Sequence, residues 1–337
     1  MTCEQDNASM YKIWLLKLIL PMRYGRTLTG LLLLSLLSVL FFLSAEEADA
    51  HRTPALFFSL IIAYIIPVFS FITTRAQEAL NAMRPILVLD EVAFEDARTR
   101  LDSARLYLIL GCLFGGILGA CAHLSFIRGS FSGAVANMVS DISGLLTGLG
   151  TVTVWVVMTT VISMLMQQAI LFSRLGGGYA HVSLLDIGKL RPFARVSISS
   201  SLAVIGALAL FPLINLQGGL NLAESLPGVF AILGPLVIMF IIPVWPLHRR
   251  LVRLKAQELA RLQARIALSQ DAAGEYPSES ADIDRLLPLL QYRREIAQLS
   301  TWPFDLGNIT TFAFYLVIPP LTWAGAALIE NLVNFLL

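Results

Sequence analysis

Charge is what this chain has least of. Asp, Glu, Lys and Arg together make up 14% of its 337 residues, where ordinary soluble domains carry about 25%. With 56% hydrophobic residues and a mean hydropathy of +0.74, that scarcity excludes an ordinary soluble domain. The net charge of +1 offers no argument for a nucleic-acid partner, and none is expected. Cysteine is also rare. Cys3, Cys112 and Cys121 are too few and too scattered for a disulfide framework or a zinc site.

The residue patterns of common catalytic sites are missing as well. His51, His123, His181 and His248 lie in four different segments, none with a second ligand at metal spacing, so no metal or cofactor is expected. The run SRLGGGYAH has three glycines but no Gly-Lys-Ser or Gly-Lys-Thr after them, which excludes a phosphate-binding P-loop. Neither Gly-x-Ser-x-Gly nor His-Glu-x-x-His occurs. An enzyme is therefore not expected.

What the chain has instead is long apolar runs. Seven are long enough for a helix to cross about 30 Å of hydrocarbon: Thr27–Ser44, Pro54–Thr74, Leu106–Ile127, Leu146–Phe172, Val196–Asn215, Gly228–Leu247 and Ile309–Glu330. Strands of a membrane barrel alternate over about ten residues, so run length excludes a barrel. The expected fold is an all-α polytopic membrane protein with seven transmembrane helices. Of the 24 Lys and Arg residues all but Arg52 and Arg128 fall in alternate connections. By the positive-inside rule those connections are cytoplasmic, the N-terminus is inside and the C-terminus outside.

The chain divides accordingly into a cytoplasmic segment 1–26, a six-helix region 27–248, a cytoplasmic section 249–307 and a seventh helix 308–337. Within the first, Met10–Met22 reads as an interfacial helix with Trp14 at headgroup depth. The run Leu28–Leu43 before Ala48-Asp49-Ala50 has too long an N-terminal region for a signal peptide. Arg128–Gly144, rich in Gly and Ser, reads as an outer surface loop. Asp90–Leu106 is amphipathic, with Phe94, Ala97 and Leu101 on one face. After the sixth span, Val252, Leu259 and Ile266 keep heptad spacing with Leu262 between them, an amphipathic helix that continues the span. A break at DAAGEYPSESAD and a second helical run complete a helical hairpin.

Polar stripes in two spans carry the functional expectation. In the seventh, Asn308, Thr311, Tyr315, Thr322 and Glu330 fall on one face of about 100° at 100° per residue. In the fourth, Thr153, Thr160, Ser163 and Gln167 fall within about 80°. Two readings fit these stripes: they line a wet path, or the hydroxyls bond their own helix and let helices pack closely. Glu330 is either an interfacial carboxylate in water or part of an acidic ring at the mouth of an oligomeric pore. Pro67, Pro243, Pro319 and Pro320 are hinge candidates, because each removes a backbone donor. The echo of YIIPVFSF, FIIPVWPL and LVIPPLTW fits parallel three-helix repeats around a fourth-helix linker.

The leading expectation is an oligomeric, cation-preferring channel lined by the seventh helix. The alternatives are a scaffold or signalling subunit acting through the hairpin, and a small-solute transporter with a 3+1+3 arrangement. The lipid bilayer and further copies of the chain, through helix seven and the hairpin, are the expected partners. A bacterial inner membrane is the expected location.

Overall fold

The computed structural model describes residues 10–43, 52–210, 234, 236–273, 280–302, 310, 312–319, 321–322, 325 and 328. The protein is all-α, with one two-stranded ribbon. In chain order the elements are β1 (Met10–Lys12), α1 (Trp14–Lys17), α2 (Gly25–Leu43), α3 (Arg52–Met83), α4 (Glu91–Thr99), β2 (Ser103–Arg105), α5 (Leu106–Ile127), α6 (Phe131–Ser140), α7 (Ile142–Arg174), α8 (Arg191–Leu210), α9 (Trp245–Ala273) and α10 (Ser280–Gln298).

Four described helices are long and apolar enough to cross a membrane, spanning Leu56–Ile86, Leu106–Ile127, Gly144–Tyr179 and Ile187–Leu210. They mark the chain as a membrane protein. The first expected span forms α2, whose apolar stretch Gly25–Leu40 is shorter than these. Parts of the fifth, sixth and seventh expected spans, among them 211–215, 228–233 and 329–330, lie outside the described residues. At 1.5 Å per residue, α3 and α7 are each about 50 Å long and reach well past the hydrocarbon.

Helix α3 is the centre of the bundle. Its Phe57, Ile61, Ile65, Phe69 and Ile72 are buried with Val157, Val161 and Leu165 of α7 and Ala203, Val204 and Leu208 of α8. Helix α8 approaches α3 through Gly206, where an added methyl would lie 1.8 Å from the Tyr64 hydroxyl. Helix α2 lies against α3 on another side, held by Arg26, whose Nη2 donates to Thr74 Oγ1 at 2.6 Å. Helix α5 is peripheral: 17% of its apolar window is buried inside the protein, against 67% for α8. Leu110, Phe114, Ile117 and Leu118 of α5 are exposed, as a lipid-facing helix requires.

A second core sits at one end of the bundle. There Leu80 and Met83 of α3, Phe94 and Ala97 of α4, Leu101, Phe172 of α7, Phe193 of α8 and Leu247 and Leu251 of α9 pack together. The amphipathic face expected over Asp90–Leu106 is this contact. Asp90 caps α4 by accepting from the Ala93 N–H at 2.9 Å, which fixes where the helix starts.

Four local expectations are corrected. Met10–Met22 is not a helix along its length: Met10–Lys12 pair antiparallel with Ser103–Arg105, and only Trp14–Lys17 are helical. The ribbon draws Ile13 and Leu15 into the first core, a contact that amphipathicity alone does not reveal. Arg128–Gly144 is not a loop but contains α6. Gly129, at φ 71, turns the chain, Ser130 caps α6 through Gly133 N at 3.0 Å, and Asp141 caps α7 through Gly144 N at 2.7 Å.

The sixth span does not run unbroken into α9. Residues 236–241 are helical, 242–244 form a turn, and α9 begins at Trp245. Pro243 lies in that turn and cannot donate to a continuing helix. Finally, the buried face of α9 is Leu251 and Leu262, whereas Val252 is exposed. Leu251, one residue from the heptad position, packs into the second core, which covers the start of the helix.

Candidate functional site

The threonine hydroxyls of the fourth-span stripe are occupied within their own helix. Thr153 Oγ1 donates to the Leu149 carbonyl and Thr160 Oγ1 to the Val156 carbonyl, both at 2.8 Å. Thr160 is buried, Thr153 exposed and Ser163 half-buried. Gln167 reaches out of the helix instead. Its Nε2 donates to the carbonyls of Arg100 at 2.8 Å and Ser103 at 3.3 Å.

Gln168, which the stripe arithmetic passes over, does more. It is fully buried, and its Nε2 donates to the Leu101 carbonyl at 2.7 Å and to Thr73 Oγ1 at 3.3 Å. One side chain thus ties α7 to α3 and to the turn between α4 and β2. The available signal was the Gln-Gln doublet itself, since two adjacent amides in an apolar run point about 100° apart and need different partners. The Gln168 Oε1 has no partner among the described residues.

In the seventh run, Tyr315 and Phe312 pack against the first core, and Phe312 stacks on Phe240 with ring centroids 4.2 Å apart. Thr322 Oγ1 donates to the Pro319 carbonyl at 2.8 Å. Pro319 is buried. Asn308, Thr311, Pro320 and Glu330 lie outside the described residues. Pro67 stays inside the continuous helix α3, where Gly30 of α2 comes so close that an added methyl would lie 3.3 Å from the proline ring. Pro67 and Pro243 therefore occupy different local structures, one mid-helix and one in a turn.

The triple glycine run also has a place. Leu175–Tyr179 continues α7 as a wider π turn, closed by Ala180 N donating to the Leu175 carbonyl at 2.9 Å. Glycine lets two neighbours in: a methyl on Gly176 would meet the Phe193 ring at 3.2 Å, and one on Gly177 would meet Pro246 at 3.2 Å. The chain then pairs with the end of α3, Val88 N donating to Tyr179 O at 2.8 Å and His181 N to Ile86 O at 2.7 Å. Arg250 of α9 locks this junction, its Nη1 donating to the carbonyls of Gly176 at 3.1 Å and Ala180 at 3.0 Å.

From that junction α9 and α10 extend as an antiparallel pair. Lys255 Nζ donates to the carbonyls of Ala297 and Leu299, and His248 Nδ1 lies 3.0 Å from Thr301 O. The His248 ring stacks on Trp302 at 3.9 Å. Leu262 and Ile296 are buried, while Leu268, Leu287 and Leu290 are exposed, Leu268 to 69%.

Among the described residues no group of three His, Cys, Asp or Glu side chains could hold a metal ion. Compared with protein-family models, curated proteins and solved structures, the chain matches none.

Proposed function

We propose that this chain is a membrane-embedded scaffold or signalling subunit that works as a homo-oligomer through its α9–α10 hairpin. The observation that carries this reading is a helix pair fixed to the bundle by Arg250 yet bearing exposed leucines away from it. The antiparallel register brings Leu287 and Leu290 within about two turns of the level of Leu268. Copies in one bilayer stand side by side, so equal levels meet, and apolar levels favour association over charged ones.

The ends of α3 and α7 and the starts of α8 and α9 meet at the second core, in the region that carries most of the Lys and Arg. We take this end, with the hairpin, as cytoplasmic and seven spans as the full count. An inner-membrane location in a bacterium fits this arrangement.

The fourth-span stripe supports this reading over conduction, because its threonine hydroxyls bond their own helix and Gln167 bonds the α4–β2 turn. A cation channel lined by the seventh run is the second reading. It draws on Tyr315 and Thr322, which lie within about 20° of each other in helical projection.

One experiment separates the two. Purified protein is weighed as an assembly by native mass spectrometry, and cation flux is followed in liposomes, for wild type, Leu268→Glu with Leu290→Glu, and Glu330→Gln. The scaffold reading expects an oligomer that the leucine pair dissolves, with no flux above an inert membrane protein. Cation flux that falls in Glu330→Gln overturns it in favour of the channel.

A further inference from the structure

At the base of the hairpin lies an open groove of about 600 Å³ between the Leu87–Ala180 junction and the first turns of α9. Its polar lining is Tyr179, His181, Arg250, Arg253 and Gln257, and no Asp or Glu side chain lines it. Arg250 is held in the wall by two carbonyls, so its positive charge is fixed in place. Arg253, one turn further along α9, is exposed and makes no ion pair among the described residues. Elsewhere at this end Arg84 is matched with Glu91 at 2.6 Å and Arg100 with Asp96 at 2.8 Å. The groove therefore holds two guanidinium groups with no carboxylate in its lining to offset them.

The chemistry of the lining selects among anions. Guanidinium groups present forked N–H donors that match the oxygens of a phosphate, and the exposed His181 and Gln257 add donors at the rim. Val88, 73% exposed, and Val182 supply an apolar side to the same groove. Its depth is set by the aromatic cluster of Trp245, His248 and Trp302 at the start of α9. Tryptophan concentrates at headgroup level, and Arg253 lies about 12 Å further along the helix.

We propose that this groove is a binding site for a phosphate group, carried either by an anionic lipid headgroup or by a soluble phosphate compound. Arg253 and His181 grip the phosphate oxygens, and Arg250 supplies fixed charge behind them.

The full chain in phosphatidylcholine nanodiscs tests this with two probes. Phosphatidylglycerol is titrated in and bound lipid counted by native mass spectrometry; pyrophosphate is titrated by calorimetry. Arg253→Ala combined with His181→Ala is compared with Arg249→Ala, which removes a charge from the same helix outside the groove. The proposal expects at least tenfold weaker binding of one probe in the double variant and less than twofold change in Arg249→Ala. A lipid response identifies a headgroup and a pyrophosphate response a soluble ligand. Arg253→Lys, which keeps charge but loses the fork, should fall between. Binding of neither probe, or equal losses in the groove and control variants, overturns it. Because Leu268 and Leu290 lie outside the groove, hairpin association stands or falls separately.

Discussion

The two halves of α7 are joined to the protein by different physics. In its first half Thr151, Thr153 and Thr160 turn their hydroxyls back on the helix's own carbonyls, and the helix meets α5 by close packing, with the Trp155 ring beside His123. Gly116 of α5 lies so close that an added methyl would sit 2.6 Å from Val156 Cα, and one on Gly119 would sit 2.5 Å from the Trp155 ring. The second half uses Gln167 and Gln168 to reach segments 64 to 95 residues away. A short side chain satisfies itself locally, whereas an amide on a longer stem can connect elements. In hydrocarbon the first arrangement needs no partner from outside the helix. At the bundle end, where backbone leaves regular structure, the second closes carbonyls that would otherwise be buried unpaired.

The largest effect should come from breaking the shape contact. In Gly116→Leu the first added carbon already collides with backbone, which cannot swing aside as a side chain can. A loss of about 3 kcal/mol is expected, the upper end of overpacking costs, read by unfolding in nanodiscs. Equal stability would mean that α5 is free to stand off from α7.

Breaking the hydrogen-bonded half should cost somewhat less. Gln168→Ala strands the Leu101 carbonyl and removes the link to Thr73, for about 2 kcal/mol. Hydrogen exchange should also quicken at the 99–105 turn while the first half of α7 stays protected. Exchange that quickens evenly along α7 would erase the distinction between its halves.

The smallest effect belongs to Thr160→Val, which keeps the shape and deletes a bond internal to one helix. A change under about 1 kcal/mol is expected, with liposome cation flux the same as wild type. A loss of flux would show instead that the hydroxyl faces a conducting path.

Parts of this organisation were legible from residue order. The helix Leu106–Ile127 matches its apolar run residue for residue, because Arg105 and Arg128 bracket it. The buried face of α4 was readable because Phe94 and Ala97 recur at helical spacing. The site was less so. Periodicity placed Gln167 in a stripe but could not distinguish a lining side chain from one bonded to Arg100 O, and it gave no reason to single out Gln168. The phosphate groove was equally hidden, because His181 and Arg253 are far apart in sequence and meet only through the pairing of Leu87 with Ala180.

Composition and run length by themselves determined that the chain is helical and built for a membrane, since hydrophobicity is a sum over neighbouring residues and needs no fold to act. Only the tertiary structure decided which polar groups serve their own helix, which join helices and which are left facing solvent. A hydrogen bond has a reach of about 3 Å, and for Gln168 the atom within that reach is 67 residues back along the chain.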